Sequence, residues 1–197
     1  MQIFRNKSIT VLPGFCILIA VFLMLLPFQW VCAWFIASMV HELAHCVALS
    51  VCGVRIDSVK LGISGAVIET EAIRPRHEVI SAIAGPLGGL LLLLFLRFIP
   101  YIGICALVQS AFNLLPLYPL DGGRVFRCCV THWFCVSTAE KICRYTENAV
   151  LLTLLLVSCI VSVYFKSGLL PVAASFLIFL KCKKIKIPCK RSEQIVQ

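Results

Sequence analysis

"WFIASMVHELAHCVALSVCG", residues Trp34 to Gly53, decides how this chain folds. The stretch is long and apolar enough to lie in lipid, yet His41, Glu42 and His45 stand at its centre. An ionisable side chain there costs roughly 2.5–3.5 kcal/mol on insertion scales and more by other estimates. Three of them in one span call for a common compensation. On a helix, positions i and i+4 share a face, so the imidazoles of His41 and His45 point at one spot. Glu42, rotated by about 100°, stands beside it. H-E-x-x-H on a helix supplies two metal ligands and a general base. A catalytic zinc takes three protein ligands and keeps a fourth position for water, so a third ligand is needed from elsewhere in the chain.

The rest of the sequence is of the same character. Of its 197 residues 60% are hydrophobic, against about 45–50% in soluble domains, which makes this a polytopic membrane protein. The apolar runs are Ile9–Phe28, Trp30–Cys52, Glu78–Ile99, Tyr101 to about Leu120, Asn148–Phe165 and Leu169–Leu180. A spanning helix needs about 20 residues; the first four runs meet that length and the sixth is short. The expected architecture is all-α, with about six transmembrane helices in a single domain, 1–197. The net charge of +9 does not signal nucleic acid, because the basic residues segregate by loop. With the N-terminus inside, Arg5 and Lys7, then Arg55, Lys60, Arg74 and Arg76, then Arg124, Arg127, Lys141 and Arg144, then the tail from Lys181 to Arg191 all fall on the inner side. Only Arg97 and Lys166 fall outside. This asymmetry predicts cytoplasmic N- and C-termini, and the tail serves as an orientation anchor near anionic lipid. The 12 cysteines form no C-x-x-C pair, which excludes zinc-ribbon and thioredoxin-like readings and leaves small apolar filler.

Among the nine acidic residues only Glu42 and Asp121 lie deep in apolar runs. Asp121 is therefore the candidate third ligand, beside His41 and His45. It sits in "NLLPLYPLDGGRVF", Asn113 to Phe126. Pro116 and Pro119 each lack an N–H and clash with the preceding turn, so the fourth run must unwind there. Broken backbone at membrane depth is tolerated only where it lines protein or a wet cavity. A His/Glu proton or metal-ion transporter would use a similar cluster, but needs further ion sites along a path.

His41-Glu42-x-x-His45 in one span, with Asn113-x-x-Pro116-x-x-Pro119-x-Asp121-Gly122-Gly123 in a later one, resembles the site-2 protease family of intramembrane zinc metalloproteases. The likeness covers about residues 30–126, and the six-span plan looks most like the stage IV sporulation protein FB branch. The resemblance implies one zinc ion held by His41, His45 and Asp121, with Glu42 activating water and Asn113 holding the substrate or its oxyanion. It further implies a membrane-tethered protein substrate, such as a pro-sigma or anti-sigma factor, cut in regulated intramembrane proteolysis in a bacterial cytoplasmic membrane. No PDZ or CBS segment follows, which speaks against gating by nucleotide. "AGPLGGL", Ala84 to Leu90, looks like the family's Gly-Pro segment, with Gly89 where an asparagine is common; the four residues Gly85, Pro86, Gly88 and Gly89 read as close packing. Gly53 to Ile73 alternates, is rich in β-branched residues and carries a turn signal at Ser64-Gly65, so it reads as a hairpin. The family places such a hairpin dipping into the membrane, where its edge could take substrate as an added strand. Arg124 to Asn148, with Phe126, Trp133 and Phe134 among bases, reads as an interfacial helix.

Overall fold

The computed structural model describes residues 4–62, 65–70, 73–164 and Ser175. In chain order these form β1 (Phe4–Val11), α1 (Pro13–Leu25), α2 (Phe28–Val51), β2 (Ile56–Gly62), β3 (Gly65–Thr70), α3 (Pro75–Leu91) with a 3-10 turn at Leu92–Phe95, α4 (Pro100–Asn113), α5 (Asp121–Trp133) and α6 (Val136–Tyr164). They divide into two compact units after Cys143, within α6. The sixth apolar run and the basic tail lie outside the described residues, as does Ser64 of the expected turn.

Among the described residues three helices are long and apolar enough to cross a membrane: α2, α3 with its 3-10 turn, and α6. The first and fourth apolar runs give shorter helices than their composition suggested. Pro13 sets the start of α1: its missing N–H and fixed φ suit the first helical position, and it holds Leu12 extended, at φ −80° and ψ 145°. Residues 9–11 of the first run belong instead to β1. At the other end of the sequence core, α4 stops at Asn113, ahead of Pro116. These two helices have 13 and 14 residues, and each rises about 20 Å against a hydrocarbon core of about 30 Å. The segment expected to be one interfacial helix is two elements: α5 ends at Trp133 and α6 begins at Val136. Val130, Ala139 and Cys143, with Phe126 and Ile142, form a small core between the two.

α2 shows how the bundle sorts its faces. Met39, Leu43, Val47 and Val51, four apart, are 54–82% exposed, whereas Ala33, Ala37, His41, His45 and Leu49 are buried. Large apolar side chains outside and small or polar ones inside suit lipid as the solvent. α3 meets α2 and α4 through glycine. A Cβ on Gly88 would stand 2.5 Å from Ala44 Cβ, and one on Gly89 would stand 2.4 Å from Ser110 Oγ. Ser110 is fully buried, and its hydroxyl donates to the Pro86 carbonyl at 3.2 Å.

The expected hairpin is present: β2 and β3 pair antiparallel, with Gly62 opposite Gly65. Glu69 accepts from Ser58 Oγ and Lys60 Nζ, both at 2.5 Å. The Lys60 bond first, then the Ser58 bond, holds this carboxyl below its ordinary range. The pair is exposed, so it sets register more than it stabilises. β1, not foreseen from the sequence, lies parallel to β2 and completes the order β1-β2-β3.

Gly88→Val is expected to destabilise the fold by about 1–3 kcal/mol through overpacking against Ala44, seen as a lower midpoint of thermal unfolding in detergent.

Candidate metal centre

Two segments far apart in sequence bring three side chains to a single point. His41 and His45 come from the middle of α2, on its buried stripe. Asp121 is the first residue of α5. Their facing atoms make a nearly regular triangle: His41 Nε2 to Asp121 Oδ2 is 3.1 Å, His45 Nε2 to Asp121 Oδ2 is 3.3 Å, and His41 Nε2 to His45 Nε2 is 3.2 Å. All three residues are buried. Ligands about 2.0–2.1 Å from a tetrahedral ion stand about 3.3 Å from one another, so the edges of the triangle fit zinc. The donor set, two imidazoles and a carboxylate, fits it too.

The backbone explains why these atoms meet. α3 runs beside α2, and the Ser81 carbonyl accepts a hydrogen bond from His45 Nδ1 at 2.7 Å. The proton is thereby fixed on Nδ1, and the lone pair of Nε2 faces the shared point. Pro86 lies inside α3 and removes the rung back to Ala82, next to that carbonyl. Gly85 lets α3 come this close, since a Cβ there would stand 2.3 Å from His45 Nε2 and 2.9 Å from His41 Nε2. Asp121 is delivered by the break after α4. Residues 114–120 turn over with short-range bonds, Leu117 N–H to the Leu115 carbonyl at 2.7 Å and Leu120 N–H to the Leu117 carbonyl at 2.8 Å. Leu117 is fully buried and pins the loop. Gly122 and Gly123 then pass under it; a Cβ at either would stand 2.1–2.3 Å from the backbone of Leu114 or Leu117. One turn on, Arg124 Nε approaches Glu78 Oε1 at 3.5 Å and ties α5 to the first turn of α3.

Asn113, the last residue of α4, sets its amide nitrogen 3.4 Å from His41 Nε2. Glu42 is half-buried on α2, next to His41 in sequence. The geometry thus gathers His41, His45, Asp121 and Asn113. Reasoning from sequence missed Ser81, which acts through its carbonyl and leaves no mark in residue type. Among the described residues no other group of three His, Cys, Asp or Glu side chains converges in this way.

No family model matches the chain. A zinc metalloprotease of Methanocaldococcus jannaschii is 28% identical over 136 residues, covering 62% of this chain and 40% of the relative. A protein of Synechocystis named as a candidate zinc metalloprotease is 32% identical over 109 residues, covering 47% of this chain and 29% of its own length. The chain thus spans less than half the length of the curated relatives it matches. Among solved structures, a site-2 protease from Methanocaldococcus jannaschii superposes with a TM-score of 0.64, at 22% identity and over 91% of each chain. The chain shares the fold of that solved site-2 protease. Its buried His-His-Asp group fits a zinc ion.

Gly85→Ala is expected to weaken Zn2+ binding by about tenfold or more, measured by competition with a chromophoric chelator. Gly89→Ala, which meets only the Ser110 side chain first, is expected to bind Zn2+ nearly as the unmodified protein does.

Proposed function

We propose that this chain is an intramembrane zinc metalloendopeptidase of the site-2 protease type, cutting a membrane-tethered protein. The observation that carries the reading is the nearly equilateral spacing of His41, His45 and Asp121, the two histidines standing on a span that also bears Glu42. The two relatives and the structural neighbour support it. His41, His45 and Asp121 are the zinc ligands. Bound there, zinc polarises the scissile carbonyl and makes the attacking water more acidic. Glu42 takes that water's proton and delivers it to the leaving amine. The Asn113 amide donates to the oxyanion that develops on the carbonyl. Transport is disfavoured because a relay needs several ion sites in line, and the described residues offer one.

The finer reading follows the charge pattern and the family likeness. Six crossings form one protease domain with its motif core at about 30–126, α1 and α4 completing theirs through non-helical backbone. Both termini face the cytoplasm, and the hairpin dips toward the site. Since β1 covers one side of β2, substrate pairs with the outer edge of β3. A bacterial cytoplasmic membrane, and a sporulation role like that of the stage IV protein FB branch, complete this picture.

The test is a pair of measurements on purified protein. Glu42→Gln is expected to keep stoichiometric zinc while cleavage of a membrane-tethered substrate falls by about 10²–10⁴-fold; full proteolysis in that variant would overturn the role of Glu42. His41→Ala and Asp121→Ala are expected to lose the metal, and so is the unmodified protein after chelation, with activity returning when Zn2+ is restored. Ion uptake into proteoliposomes without cleavage would favour transport.

A further inference from the structure

Two buried polar atoms, one on His41 and one on Gln109, are left without partners once the centre is assembled. With Nε2 turned to the shared point, His41 carries its proton on Nδ1, and that nitrogen is buried without a hydrogen-bond partner among the described residues. Gln109 Oε1 is in the same condition. One is a donor and the other an acceptor, and a buried polar atom without a partner is costly.

The helices bring the two residues to one seam. α2 and α4 lie side by side, so that Gln109 Nε2 donates to Ser38 Oγ at 3.1 Å and Asn113 Nδ2 approaches His41 Nε2 at 3.4 Å. Ser38 and His41 are three residues apart, Gln109 and Asn113 four, so each pair shares a helix face. The Gln109 amide therefore sits one turn along the same seam from the imidazole. Its nitrogen is fixed by Ser38 and its oxygen is left to accept.

We propose that Gln109 is the positioning residue for His41: its amide oxygen accepts, through one bridging water, the Nδ1 proton of His41. That bond holds the tautomer and ring plane in which Nε2 faces the cation. His45 obtains the same control directly from the Ser81 carbonyl, and outer partners of this kind orient metal-ligating histidines generally. A buried water needs at least two polar partners, and His41 and Gln109 supply them. The inference rests on the zinc reading above. It differs from a purely structural role, in which Gln109 would act through its bond to Ser38 as a clamp between α2 and α4.

The experiment uses the full chain in detergent, with Zn2+ affinity measured by chelator competition and the visible absorption of the Co2+-loaded protein recorded in parallel. Gln109→Leu is expected to weaken Zn2+ binding about 10–100-fold and to shift the Co2+ bands. Gln109→Met, which keeps the reach without the oxygen, is expected to do the same and gives the reading should the leucine variant not fold. Gln109→Glu keeps an acceptor and is expected to restore affinity. Ser38→Ala removes the clamp, keeps the acceptor, and is expected to lose less Zn2+ affinity than either the Leu or the Met variant. Leu and Met variants that bind within about threefold of the unmodified protein, or a Ser38→Ala loss equal to theirs, would overturn the proposal. An unmodified protein that takes up no Zn2+ would overturn the zinc reading, and this inference with it.

Discussion

Everything in this molecule is arranged around the convergence of three lone pairs in a place where water is scarce. His41 Nε2, His45 Nε2 and Asp121 Oδ2 stand 3.1–3.3 Å apart. Three electron-rich atoms at that range repel unless something positive lies among them, and a low dielectric strengthens both the repulsion and the remedy. A single proton can bridge two of the three. A divalent cation satisfies all of them at once, and the edge lengths suit zinc. Since the Ser81 carbonyl commits the proton of His45 to Nδ1, the cation is the partner that the donor set is built for.

Holding that triangle closed falls to residues with little or no side chain. Gly85 and Gly88 let α3 lie against α2, and Gly89 lets it lie against α4. Between membrane helices, where apolar contact with lipid is as good as contact with protein, such close approach is what favours association. Gly122 and Gly123 do the equivalent for the ligand that comes from a helix start. Asp121 reaches the imidazoles because the loop above it can fold down onto bare backbone. Its carboxylate also lies in the first turn of α5, where the helix dipole favours negative charge.

The candidate site was legible in the sequence to the extent that its convergence is carried by residue type at a fixed spacing. His41 and His45 share a helix face by arithmetic, and Asp121 stood out as the second acidic residue within an apolar run. The proline pair announced the unwinding between Asn113 and Asp121. Other features escaped because they depend on backbone or on distant partners. β1 has no strong pattern of its own and exists because β2 offers it an edge. The start of α6 at Val136, well before the apolar run, follows from packing of Ala139 and Cys143 on α5 rather than from hydropathy. The limits of α1 and α4 were set by prolines whose local effect is clear, yet composition had counted the flanking apolar residues as helix.

On the proposed reading, the protein faces an obstacle that its own fold illustrates. An α-helix uses its N–H and C=O groups internally, so a substrate helix hides the carbonyl that must be attacked. In lipid it has little reason to open, because freed backbone groups would go unsatisfied. The protein near this site is itself where regular helix fails: α4 ends at Asn113, the chain runs irregularly to Leu120, and α2 gives way to a sheet from Ile56. Where backbone is already broken, polar groups of protein and water exist to receive a second broken segment. On the proposed reading the outer edge of β3 does this for substrate, exchanging helical bonds for strand bonds with little net loss. On the same reading, that exchange gives the sheet that follows α2 a role in presenting substrate.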